Sequence, residues 1–224
     1  MAEMPFVSSL VQEDLPVWQQ CLDTEFLRRM EDGTLDEACF KGYIVEDSLY
    51  LREYAKVFAW GMTKARTMET LRNYYSLLGF VQESEDVTRL HYLEQFGLSE
   101  ADLQALPLRP ENRAYVDCMI NAAKNGEGEA ECIMACLLHA ELRLDLPENA
   151  GPLPCRAGHP LRPAGAGLRR SRLCGRLPRL GRLCGKGVHG LSPERAARCR
   201  AIFHDCSVHE LHFWEMSAKP RTDL

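Results

Sequence analysis

Two carboxylates stand where the sequence otherwise places apolar side chains. The first is Asp47. In FKGYIVEDSLYLREYAKVFAWG, residues 40–61, the side chains of Phe40, Tyr43, Ile44, Tyr50, Leu51, Tyr54 and Phe58 recur at helical spacing, and Asp47 interrupts their stripe. The second is Glu210, which shares a helix face with Phe203, Cys206, Phe213 and Trp214 at offsets of three, four or seven. A carboxylate on a buried face is costly unless something pairs with it. Burial beside aromatic rings also raises a carboxyl pKa, which is what a proton donor or acceptor working near neutral pH needs. For either acid alone, a structural ion pair with an arginine, or a bond to a tyrosine hydroxyl, is the default explanation. Two such acids on helices far apart in the chain point to a shared pocket. Tyr50 lies three residues after Asp47 on the same face, and Tyr115 begins the helix after Pro110. Tyrosines near buried acids can stack on a flat ring and hydrogen-bond as well, and core packing is the alternative for each.

The remaining chemistry-bearing residues are less organised. The ten cysteines form no CxxC pair and, with the histidines, no zinc spacing. Cys132, Cys136 and Cys206 lie on apolar helical faces and read as reduced core thiols. Glu127, Glu129 and Glu131 read as a solvated helix start. His204, His209 and His212 are placed on different faces of the last helix, so no metal site is expected there.

The elements that must carry these residues are helices. The spacing predicts a first helix over about Asp14 to Met30, stopped by Gly33. A capping box of Thr34 and Glu37 opens the helix that carries Asp47. A third helical region begins near Thr67, Ser99 and Asp102 cap a short element, and another helix spans about Asn112 to Asn125. A further one starts near Glu129. At the end, Ser192 caps and Pro193 takes the first position of a helix running through RAARCRAIFHDCSVHELHFWEMS. No strand pattern competes, and the class is all-α. The length of 224 residues suits one domain, 1–224. A net charge of −5 argues against nucleic acid as a partner. No stretch has the length and apolarity of a membrane span, and no signal peptide is visible, so a cytoplasmic protein is expected.

Residues 139–190 differ in character. They are crowded with Arg, Gly, Pro and Leu, hold no Phe, Tyr or Trp, and have no acid between Glu148 and Glu194. A basic flexible loop is one reading, although a structureless stretch of such length is unusual inside a compact helical domain. A shifted reading frame is the sharper one, because a GC-rich gene read out of frame gives this composition. Ala157 to Arg169, moved forward one base with permitted codons, can read RGTPYGPLVRDY, which restores an acid and aromatics.

FKGYIVEDSLYLREYA, the later MACLL and the tail HELHFWEM together resemble the TenA / thiaminase II family, over roughly residues 5–138 and 188–217. The resemblance implies a heme-oxygenase-like helical bundle and a hydrolase of thiamin or thiamin-derived aminopyrimidines in thiamin salvage. It implies no metal or organic cofactor, a small-molecule partner, and a homotetramer. By the resemblance Asp47 matches the pyrimidine-binding aspartate, Tyr50 and Tyr115 the ring-clamping positions, Glu210 the catalytic glutamate and Phe213 its aromatic neighbour. The family's nucleophilic cysteine ends a Leu-Leu-Pro-Cys motif, where this chain has Leu137, Leu138, His139 and Ala140. The expected chain is therefore an impaired hydrolase or, alternatively, a non-catalytic aminopyrimidine-binding protein on the same fold.

Overall fold

The computed structural model describes residues 5–78, 85–145, 188 and 190–224. Among the described residues the regular structure is all helix: α1 (Pro5–Leu22), α2 (Glu25–Asp32), α3 (Glu37–Lys64), α4 (Met68–Leu78), α5 (Glu85–Gln95), α6 (Glu100–Ala105), α7 (Pro110–Asn125), α8 (Glu129–Asp145) and α9 (Pro193–Ser217).

The ends of these helices follow local chemistry, with some departures from expectation. The predicted first helix is two. At its break Thr24 turns its hydroxyl back to the Cys21 carbonyl at 2.8 Å, and α2 restarts at Glu25. Gly33 closes α2 in the left-handed region at φ 74°, donating to the Arg29 carbonyl as a C-terminal glycine does. The expected Thr34/Glu37 box is not the cap of α3. Asp36 is, accepting from Ala38 N at 2.8 Å, while the Thr34 hydroxyl is turned to Asp32. The Ser99/Asp102 box forms as expected, and so does the Ser192 cap followed by Pro193. The helical run of α8 continues to Asp145, seven residues past the point where the composition changes. Most of the unusual segment, 146–187, lies outside the described residues.

Two long helices organise the bundle. α3 packs on α4, α5, α7 and α8, and α9 packs on α1, α7 and α8. Their shared core includes Phe26, Phe40, Val45, Tyr115, Met119, Ile133 and Phe203, all essentially inaccessible. α4 approaches α3 so closely at Gly61 that an added Cβ would lie 2.3 Å from the Tyr74 ring. That clash explains a glycine in the interior of a long helix, where it otherwise costs stability.

Candidate active site

α3, α7 and α9 bring the aromatic candidates together. The Tyr50 ring lies 5.1 Å from Tyr115, 6.0 Å from Phe213 and 5.5 Å from Tyr54, on which it stacks. Tyr43, two turns before Tyr50, also reaches Phe213, at 6.2 Å. Tyr115 in turn stacks against His209 at 5.9 Å. Separations of this size are those of rings in direct contact. The result is one continuous aromatic patch built from three helices.

Glu210 belongs to this patch. It is 8 % exposed, which matches its expectation as a buried acid. Its charge acts on the phenols and thiols around it. Burial pushes the Tyr50 hydroxyl well above its ordinary pKa, and the Glu210 carboxylate adds to the rise. Tyr115 is raised by burial, by Tyr50 and by Glu210. Cys21, on α1, is pushed up to about 12 by burial and then by Glu210. These groups are therefore neutral hydrogen-bond donors at physiological pH, gathered around an acid in a low-dielectric setting.

Asp47 is half-buried rather than buried, so the expectation of a fully buried acid at this position is corrected. It stands between Tyr43 and Tyr50 at offsets of four and three, on the α3 face whose tyrosines touch Phe213. The fully buried acid of α3 is its neighbour Glu46, which the stripe did not flag. Asn112 Nδ2 donates to Glu46 at 2.7 Å, Arg221 Nη1 at 2.5 Å, and the Arg109 backbone N–H at 3.3 Å. Burial outweighs these donors and leaves the Glu46 pKa raised.

The thiols divide into two groups. Burial holds Cys132 at about 11, an unreactive core thiol as expected. Cys118, on α7, is half-buried and differs. The neighbouring Cys206 thiol and then His209 lower its pKa, while that of Cys206 is raised. Cys136 is buried, and its carbonyl accepts from the Tyr54 hydroxyl at 2.9 Å.

Two other expectations change. Glu131 is no part of a solvated helix start. It is 0 % exposed and bonded by Arg195 through Nη2 at 2.9 Å. The His209 and His212 rings are neighbours, 6.2 Å apart, while His204 turns away to Asp14 at 2.8 Å. Among the described residues no three His, Cys, Asp or Glu side chains converge as a metal site.

Against known proteins, the TENA/THI-4/PQQC family profile matches residues 12–142, more than half of the chain. The chain belongs to the TENA/THI-4/PQQC family. A relative in Halalkalibacterium halodurans, named aminopyrimidine aminohydrolase, is 26 % identical over 219 residues, covering 97 % of each chain. Another of that name, from Helicobacter pylori, is 29 % identical over 129 residues and 58 % of each chain. Among solved structures, a TenA family transcription regulator from Silicibacter superposes with a TM-score of 0.79 at 20 % identity, over 96 % of this chain and 97 % of that one. A TenA homologue from P. horikoshii gives 0.76 at 23 % identity, over 95 % and 97 %. These two structures establish that the all-α fold is a TenA fold. Asp47, Tyr50 and Tyr115 fall inside the family-matched stretch, and Glu210 and Phe213 fall beyond it.

Proposed function

We propose that the chain is built as a hydrolase of thiamin or thiamin-derived aminopyrimidines, serving thiamin salvage in the cytoplasm. One observation carries the reading: the charge of a buried glutamate, Glu210, reaches the neutral phenols Tyr50 and Tyr115, whose rings form a patch that Phe213 completes. A flat, polar, electron-poor heterocycle suits such a surface, because the rings offer stacking area and the acid handles protons. Asp47 would orient the pyrimidine through a hydrogen bond, Glu210 would shuttle the proton, and Tyr50, Tyr115 and Phe213 would hold the ring. No metal or organic cofactor enters this scheme. The names of the relatives from H. halodurans and H. pylori support the substrate class.

The nucleophile is the weak point of the chain. Ala140 holds the place of the expected cysteine, on α8 one turn past Cys136. Cys136 lies near Tyr50, so its position shows where that turn of α8 meets the aromatic patch. One helical turn is about 5.4 Å, too far for Cys136 to attack from its own place. The absence of cysteine at 140 favours a second reading, a pyrimidine binder without turnover. The family match ends at residue 142, just inside the segment of different composition, which supports a reading-frame change within 139–190 of a single 1–224 domain. Met68 and Tyr75, exposed at 61 % and 70 % on one face of α4, give a homotetramer an apolar surface to use.

The test is an assay on 4-amino-5-aminomethyl-2-methylpyrimidine with the chain as it stands, with Ala140→Cys and with a frame-corrected version. Binding by all three, with strong turnover only after correction, supports the hydrolase reading. Binding without turnover in every version supports the binder. Absence of binding in all three overturns both.

A further inference from the structure

The residues behind the aromatic patch form a hub that joins three segments of the chain. Arg221 lies beyond the end of α9, in the C-terminal tail, yet its side chain is 1 % exposed. It donates to Glu46 on α3 at 2.5 Å, to the Pro107 carbonyl at 2.9 Å and to Asp223 at 2.7 Å. Asn112, on the first turn of α7, is itself fully buried and donates to both the carboxylate and the carbonyl of Glu46. Arg109 extends the grip, donating from its backbone to Glu46 and from its side chain to the Lys219 carbonyl at 2.9 Å. The tail lies so close to α3 that a Cβ on Gly42 would stand 3.3 Å from Arg221 N.

Each arm of the hub is coupled to a residue of the proposed site. Glu46 is the residue before Asp47. Asn112 is one helical turn before Tyr115. The tail continues directly from α9, which carries Glu210 and Phe213. A ligand site assembled from separate helices needs supporting hydrogen bonds that fix those helices relative to one another. A buried, multiply bonded ion pair has the directionality to do so, whereas apolar packing alone tolerates sliding.

We propose that the Arg221–Glu46–Asn112 hub sets the ligand geometry of the site, with Arg221 as a positioning residue that touches no ligand. The proposal rests on the functional reading above. The C-terminal tail then acts as a clasp that aligns the α3 aspartate, the α7 tyrosine and the last helix.

The experiment measures the affinity of 4-amino-5-aminomethyl-2-methylpyrimidine by calorimetry, well below the melting temperature, for the full chain and for Arg221→Met, Arg221→Lys and Glu131→Gln. Glu131→Gln weakens the Arg195 pair, which lies outside the hub, and so serves as a control for plain destabilisation. Arg221→Met is expected to weaken binding about tenfold or more, the scale of a small misplacement of binding groups. Arg221→Lys keeps the charge and should recover part of that loss, while Glu131→Gln should bind as the full chain does. Unchanged affinity in folded Arg221→Met, or equal loss in Glu131→Gln, would overturn the proposal. If Arg221→Met does not fold, Arg221→Lys and Asp223→Asn carry the same comparison. If the full chain binds no pyrimidine, the functional reading fails separately. Amide exchange across residues 43–51 and 110–116 then decides: acceleration there in Arg221→Met, absent in Glu131→Gln, supports the clasp, and no difference overturns it.

Discussion

Glu46 and Glu210 are both buried acids on long helices, and their surroundings differ in kind. Glu46 is surrounded by donors: a guanidinium, an amide and a backbone N–H. The Glu210 charge acts on two phenols and a thiol, Tyr50, Tyr115 and Cys21, and makes each harder to ionise. A carboxylate gripped by a fixed guanidinium and amides holds a structure together through directed bonds. A carboxylate among neutral O–H and S–H groups in a dry setting has partners that can exchange protons with it or with a bound heterocycle. The two acids are linked through the aromatic patch: Glu46 anchors the helix whose next turn meets Phe213, itself one turn past Glu210.

The largest expected effect separates the two in activity. In a version carrying the nucleophile, Glu210→Gln should lower kcat by about 10²–10⁴, the usual contribution of a positioned acid or base. Its melting temperature should change little, since the amide keeps the shape of the carboxylate. Turnover near that of the parent would end the assignment of Glu210 to proton transfer.

The second effect is the mirror image, in stability. Glu46→Leu leaves Arg221 buried without its α3 partner, which should cost about 3–5 kcal/mol in urea unfolding. Replacing both members, Glu46→Leu with Arg221→Met, should recover much of that loss, since a buried pair removed whole is often tolerated. If the single change costs less than about 1 kcal/mol, the hub does not anchor α3.

The contrast between Glu46 and Asp47 also shows how far the sequence can be read. The apolar stripe on α3 shows Tyr50 and the stripe on α9 shows Phe213, while only the family resemblance joins them; their rings do meet. Glu46 was not visible, because a step of one residue turns the side chain about 100° away from the stripe. Its burial depends on Arg221 and Asn112, remote in the chain, and neither carries a local signal. Glu131 is hidden for the same reason: three glutamates in a run look solvated until Arg195 of α9 arrives. Helix ends governed by neighbouring residues were legible, as at Ser99, Ser192 and Gly33. The break at Thr24 was hidden, since Asp23 and Thr24 carry turn character only weakly inside an otherwise helical run.

A third measurement sharpens the contrast among thiols. With its pKa lowered by the Cys206 thiol and by His209, half-buried Cys118 should react with iodoacetamide more than about tenfold faster than Cys21 or Cys132, whose burial keeps them protonated. Peptide mapping after brief labelling of the native protein reads this directly. Equal, slow labelling of all three would remove the Cys118–His209 pairing from the account. Protection of Cys118 by the pyrimidine would extend the aromatic patch through Tyr115 and His209.

The smallest expected effect concerns pH, and the two buried, arginine-bonded acids should respond with opposite sign. At Glu131, burial alone would raise the pKa, but the bonds from Arg195 and the local backbone outweigh it, and the value falls below the ordinary 4.5. Its stabilisation is therefore complete above about pH 4.5 and is lost as pH falls through the lower folded value. At Glu46 burial wins and the folded value lies above 4.5, so its contribution weakens as pH rises from 4.5 through that raised value. Urea midpoints across the acid range test this. Glu131→Gln should lower stability near neutral pH by about 1.5–3 kcal/mol, the scale of bonds to a charged group. That deficit should shrink toward zero once the parent's Glu131 is protonated. A deficit that stays constant with pH would mean that Arg195 holds the glutamine as well as the carboxylate. The ion pair would then be shape rather than charge, and the division drawn between donor-lined and phenol-lined acids would lose one of its sides.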